Sequence, residues 1–549
     1  MLGDHLPIRL TATNERAMVK FVTAQELRRR WIDHLEVALV DVREEGPYST
    51  SHPFFAINVP VSEVEEKLPA LVPRPSAPIV VYDDGEGYAE SAVPRILSLG
   101  YSDVAILEGG LSAYALVGEV FRDVNVPSKA FGELVESIRH TPSMLAKEVK
   151  EVLKSQEDIV VLDARRFSEY HTMSIPRGQS CPGGELLYRI FEAAPSPTTQ
   201  VFVNCAGRTR SILGTQSLVN AGIPNKVSAV RNGTIGWTLA GLELEHDRTE
   251  RVSEPSPEAK RRAREHAIAW SNHVGVLSID ESKFSQLAAE SSTRTLHLLD
   301  VRTPEEYAAS HLPNFVSAPG GQLVQATDEW VGVRGSRLVL YDDDGVRARM
   351  TASWLVQLGW EVYVLDEAFT LSPVDTTVPK PPLWTAPSLG FVTVDQLAEL
   401  TDVTVVDLAR SPTYRKGHIP GAWFASGPEL ARDLKTIKTS SGTIVLTSPN
   451  GTVAAANLEH ARGAVSLDVV YLLGGTLAWE ATNGSLERTE ARWLSDPIDV
   501  YKRPYEGTDN AHRDMQEYLD WEYGLVAQLA NDGVSSFHVM RGDVPLTSK

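Results

Sequence analysis

The chain has 549 residues, and its 52 Lys and Arg against 72 Asp and Glu give a net charge of −20. So acidic a chain argues against nucleic acid and anionic membrane as partners, and no run approaches the roughly 18 apolar residues of a membrane span. Met1 to Lys20 has mixed charges and no uninterrupted apolar stretch, so it does not read as a signal peptide, and two cysteines, Cys181 and Cys205, cannot staple a chain of about three to five domains. The expectation is a cytoplasmic protein that touches neither membrane nor nucleic acid.

Taken in order, the elements repeat. An apolar strand ending in Asp occurs at Val37 to Arg43, Ile159 to Arg165, Leu296 to Arg302 and Val403 to Arg410, with Asp41, Asp163, Asp300 and Asp407 as markers. A His/Pro turn follows: His52 and Pro53, Ile175 and Pro176, His311 to Pro313, His418 to Pro420. The recurrence of His52, His311 and His418 at one place points to a structural role. A second apolar strand then runs into a loop at Ile79 to Asp83, Val201 to Cys205, Leu338 to Asp342 and Ile444 to Ser448. Asp41 to Asp83, Asp163 to Cys205 and Asp300 to Asp342 are each 42 residues apart, and Asp407 to Ser448 is 41. A helix-like run and a third strand come next, at Val104 to Gly110, Val227 to Gly233, Val362 to Glu367 and Val469 to Gly475, followed by an aromatic: Tyr114, Trp237, Phe369 and Trp479. Strands alternating with helices predict parallel sheets covered on both faces.

Composition marks the joints. Val124 to Ser143 links the first two copies, and the charged stretch Arg251 to Asn272 links the second and third, where an exposed helix is expected. The Pro-rich Ser372 to Leu389 links the third and fourth. Beyond about Asp499 the repeat stops. Met515 to Leu529 has the apolar spacing of a helix that buries one face, as a clamp on its own chain before a dimer contact.

One loop carries chemistry: Cys205, Ala206, Gly207, Arg208, Thr209, Arg210. It lies between the strand Val201 to Val203 and the helical run Ser211 to Val219. A tight loop there turns successive N–H groups inward, and the helix N-terminus adds positive potential. That field favours a thiolate, the nucleophilic form, and two guanidinium groups offer planar forks to an oxyanion. Surface or domain-interface salt bridges are the less favoured reading of Arg208 and Arg210, more clearly so for Arg210 than for Arg208. Asp163 with Arg165 reads as a pair that fixes a turn, Cys181 as a loop cysteine or a resolving thiol, and Trp237 as core. The matching loop positions hold Asp83, Asp342 and Ser448 in the other copies; a fixed carboxylate there satisfies the cradle and repels an anion.

The loop and the order of strands and helices around it resemble the rhodanese (sulfurtransferase) family, with an active loop in the second copy. The resemblance implies an α/β chain of four tandem rhodanese-like domains, each a parallel sheet flanked by helices, at residues 18–125 (inactive, Asp83), 140–250 (catalytic, Cys205), 273–373 (inactive, Asp342) and 388–498 (inactive, Ser448), with a helical C-terminal tail over 499–549. It implies Cys205 as the catalytic residue, with Arg208, Arg210, Ala206, Gly207 and Thr209 binding substrate. A sulfane sulfur would pass from thiosulfate or a related small-molecule donor through a Cys205 persulfide to a thiophilic acceptor, cyanide or a thiol, with no metal and no organic cofactor. A redox-sensing or scaffolding protein using the inactive domains for binding is the rival. A phosphatase or arsenate reductase is disfavoured, since four residues rather than five separate Cys205 from Arg210. A homodimer stays open.

Overall fold

The computed structural model describes residues 20–155, 158–365, 384–437, 442–489, 491–503 and 511–542. Nearly all of Met1 to Lys20, together with Phe369 and most of the Ser372 to Leu389 linker, falls outside these residues. Within them the chain forms four sheets of parallel strands. In the first, the order is Lys20–Val22, Val104–Leu107, Ile79–Tyr82, Ala38–Asp41, Ala56–Asn58. The second runs Ser143–Met144, Val227–Val230, Gln200–Asn204, Ile159–Asp163, Gly178–Ser180, and the third and fourth repeat the pattern. The fourth adds Arg492–Trp493 at its edge. The marker strand and the strand before the loop are central and paired, as at Ile159↔Gln200 through Asp163↔Asn204. Gln200–Asn204 is buried along its whole length, as expected of a strand covered by helices on both faces.

Each marker Asp is followed seven residues later by a tyrosine: Tyr48, Tyr170, Tyr307 and Tyr414. Each hydroxyl donates to the carbonyl eight residues on, at Ala56, Gly178, Phe315 and Ala422. The recurrent histidines stack on three of these rings, with centroids 4.1 Å apart for His52, 4.0 Å for His311 and 4.0 Å for His418. These turns are framework.

The units pair as nested partners. The second meets the third: Arg347 donates to Glu185 at 3.0 Å, and the Trp354 indole donates to Ser217 at 2.8 Å. The first meets the fourth: Ser426 donates to Glu44 at 2.9 Å, and Asn457 to the Ser62 carbonyl at 2.9 Å. First and third also touch, through the antiparallel bridge Val37↔Arg334.

Two connecting segments do more than link. The helix Pro257–Val274 is not exposed as expected: Ala259, Ala263, Ala267 and Trp270 form a buried stripe in a core shared with the second and third units. Three of its four core positions are alanine, so the charged residues between them dominate the sequence. The joint between the first two units is the helix Val126–Arg139, which buries Ala130, Phe131, Glu133 and Val135. The C-terminal helix Ala511–Asp532 clamps its own chain; Leu525 and Leu529 enter the first unit's core, and Asp532 accepts from Arg28 at 2.6 Å.

Candidate active site

Cys205 directly follows the strand Gln200–Asn204, and the helix Thr209–Asn220 begins four residues later. Its side chain is 1% exposed. The thiol donates to the Ser211 hydroxyl at 3.4 Å, which in turn donates to the Arg208 carbonyl at 2.9 Å. The Ser211 N–H also points at the sulfur. The other three units keep this geometry with a different acceptor. Asp83 accepts from the N–H groups of Gly85 and Ala89, Asp342 from those of Gly345 and Ala348, and the Ser448 hydroxyl from that of Ala454. Ala89, Ala348, Ala454 and Ser211 each lie six residues after the first loop residue. The cradle is therefore one backbone shape filled by carboxylate, hydroxyl or thiol.

Each residue of the loop is held from outside. The N–H groups of Thr234 and Ile235 donate to the carbonyls of Cys205 and Ala206, both at 2.9 Å. Gly233 makes this turn, at φ 54°, where a Cβ would lie 2.2 Å from the Cys205 carbonyl oxygen. Gly207 faces Ile235 together with Tyr518 and Glu522 of the C-terminal helix. Thr209 packs on Gly132 of the joint helix.

The two arginines part company. Arg208 donates to both Glu133 oxygens, at 2.6 and 2.7 Å, and to Asn232 and Tyr523 at 3.1 and 3.0 Å. Its guanidinium lies 4.2 Å from the Tyr523 ring centre. Arg210 makes a two-pronged pair with Glu169, at 2.6 and 2.9 Å. Against the upward push of burial, Arg210 with Arg165 and Arg503 holds the Glu169 carboxyl at about 2. The expected field on the thiol is correspondingly weaker than the sequence suggests. Burial pushes the Cys205 thiol up, and Arg210 and the Ser211 bonds offset only part of it.

Asp163 and Arg165 fix a turn: Arg165 donates to both Asp163 oxygens and to the Met173 carbonyl, and Asn204 donates to Asp163 at 2.9 Å. The pairs Asp41–Arg43 and Asp300–Arg302 repeat it. Trp237 is core, its indole donating to the Glu243 carbonyl. Cys181 is fully buried in the apolar cluster of the second unit, where burial pushes its thiol far up; both cysteines are free. Among the described residues no group of three His, Cys, Asp or Glu is placed to hold a metal ion.

Sequence reasoning missed Glu169, Glu133, Tyr523 and Glu522. Glu169 had a signal. A glutamate six residues after the marker Asp occurs in the two units, second and third, whose loops end in arginine, and Glu306 pairs Arg347 as Glu169 pairs Arg210. The others come from segments outside the repeat and had none.

Rhodanese-like domains match residues 23–116, 145–240, 283–371 and 393–482. Among solved structures, a thiosulfate sulfurtransferase from Pseudomonas aeruginosa is 49% identical, with a TM-score of 0.89, covering 95% of this chain and 100% of that one. The Alr3790 protein from Anabaena is 26% identical over 19% of this chain and 84% of its own, TM-score 0.17. The BH2092 protein from Bacillus halodurans is 19% identical over 20% of this chain and 80% of its own, TM-score 0.18. No curated protein matches. Four matched segments, each with its own parallel sheet and strand–loop–helix cradle, together with near-full-length likeness to one solved structure, make this chain a member of the rhodanese-like family.

Proposed function

We propose that the chain is a sulfurtransferase in which Cys205 carries a sulfane sulfur from thiosulfate or a related donor to cyanide or a thiol. One observation carries the reading: of the four cradles, the one that holds a thiol is the one beside Arg210, in a chain 49% identical to a thiosulfate sulfurtransferase.

The Cys205 thiol first loses its proton to solvent. The thiolate attacks the outer sulfur of the donor, a bond forms between the two sulfurs, and the donor's sulfur–sulfur bond breaks with its electron pair leaving on sulfite. Arg210 and the loop N–H groups, those of Ala206, Gly207 and Thr209 among them, stabilise the oxyanion and then the persulfide. The acceptor attacks the terminal sulfur, takes it, and returns Cys205 as thiolate. Arg208 contributes by fixing the loop through Glu133. Asp83, Asp342 and Ser448 leave the other units without a sulfur acceptor.

Two free cysteines suit a reducing compartment, and no described helix is long and apolar enough to cross a membrane.

Cys205→Ala is expected to abolish thiosulfate:cyanide turnover and the gain in intact mass of one sulfur atom after incubation with thiosulfate. Turnover retained by that variant would end the proposal.

A further inference from the structure

The C-terminal helix Ala511–Asp532 begins more than three hundred residues after the catalytic loop and lies against it. Tyr523 receives a hydrogen bond from Arg208 at 3.0 Å and is 3.4 Å from the Asn232 carbonyl oxygen of its side chain, to which it donates. Asn232 opens the turn whose Gly233 supports Cys205. One hydroxyl thus joins the cradle to its support. Beside it, Glu522 is 2% exposed, and its Oε2 has no hydrogen-bond partner among the described residues. That oxygen is 3.3 Å from where a Cβ on Gly207 would stand. A buried polar oxygen without a partner is costly, and against a catalytic loop it calls for an explanation.

We propose that Tyr523 and Glu522 are positioning residues of the sulfur-transfer loop, Tyr523 by bracing Arg208 and Asn232, and Glu522 by seating its buried carboxyl on Gly207. The proposal rests on the sulfurtransferase reading for its kinetic readout alone. The groups facing Glu522 are Lys129 and Glu133 of the joint helix, Asp123 just before that helix, and Arg208 of the loop, with Tyr518 on its own helix. Burial pushes the Glu522 carboxyl up to about 8, Glu133 and Asp123 adding to the push and Lys129 and Arg208 opposing it. Below that pH the group is neutral. Above it, a third negative charge joins Glu133 and Asp123 against the loop, which loosens the seat and disfavours the Cys205 thiolate.

The test compares wild type, E522Q and Y523F in the full chain, measuring the rate of sulfur loading from thiosulfate by intact mass and the rate of Cys205 alkylation by iodoacetamide, both across pH. For wild type, loading should rise with pH and level off above about 8, as Glu522 ionises while the thiolate population is still growing. E522Q should keep the neutral-pH loading rate within about twofold, go on rising where wild type levels off, and show its alkylation midpoint at lower pH. Y523F should load roughly tenfold more slowly at every pH, the scale of one lost hydrogen bond to a charged group. An E522Q profile superimposable on wild type, or Y523F loading at the wild-type rate, overturns the proposal. Should Y523F fail to fold, the isosteric E522Q decides. If wild type takes no sulfur at all, the sulfurtransferase reading fails, and the alkylation profiles still judge the positioning role.

Discussion

Arg210 and Arg347 hold the same place in their repeats and are used differently. Arg347 is surrounded by Glu185, Glu306, Asp343 and Asp344. Among the described residues Arg210 has one carboxylate partner, Glu169, and the position matching Glu185 is the neutral Gln322. Four carboxylates more than cancel the charge of Arg347, whereas Glu169 alone faces that of Arg210, which still acts to lower the Cys205 thiol. Glu169 ties that charge to acid stability. Its folded value of about 2 lies below the ordinary glutamate value, so its contribution is complete above about pH 4.3 and disappears as pH falls toward 2. Acid titration of stability should therefore show wild type losing roughly 1–2 kcal/mol more than E169Q between about pH 5 and pH 2.5. Equal losses would mean that the pair contributes nothing.

At the scale of elements, the turn Asn232–Gly233 sets the floor of the cradle. Gly233→Ala puts a Cβ within 2.2 Å of the Cys205 carbonyl oxygen at a positive φ. The expected outcome is a loss of roughly 1–3 kcal/mol in denaturant unfolding and a slower sulfur-loading step. Unchanged loading would show that the loop tolerates displacement. The same elements show what the sequence revealed. Strands were legible because an apolar run ending in Asp recurs four times at near-constant spacing. The cradle was legible because Cys205 falls at a strand end before a helical run. Tyr48, Tyr170, Tyr307 and Tyr414 recur as regularly but pass as ordinary aromatics until their hydroxyls are seen to close a turn. The helix Pro257–Val274 misleads because alanines carry its core face. Glu133, the partner of Arg208, was not legible because it sits in a segment that reads as a joint.

In the whole molecule, the nesting of first with fourth and second with third was hidden in the sequence, since four similar units could pair in several ways. The side chains that decide it, Trp354, Asn457 and Ser426, have no special pattern. One buried group at the outer interface should report on it. Burial, with Glu63 and Asp499 nearby, pushes Glu44 up to about 8, while Ser426 donates to it. An acid held above its unfolded value makes the folded state bind the extra proton, so stability falls as pH rises from about 4.3 to 8. Glu44→Gln, always neutral, should exceed wild type in unfolding free energy at pH 8 by at least ~1 kcal/mol, and the gap should close near pH 4. A gap independent of pH would place the carboxyl in water.

The nesting also sets a timetable for synthesis. At ~5–20 residues per second, the second and third units can dock while the chain is still on the ribosome, yet the first waits tens of seconds for the fourth to emerge. The helix that braces Cys205 leaves the ribosome later still. A nascent chain therefore carries a bare outer face, and a Cys205 loop without its outer support, until the last turns of that helix are made.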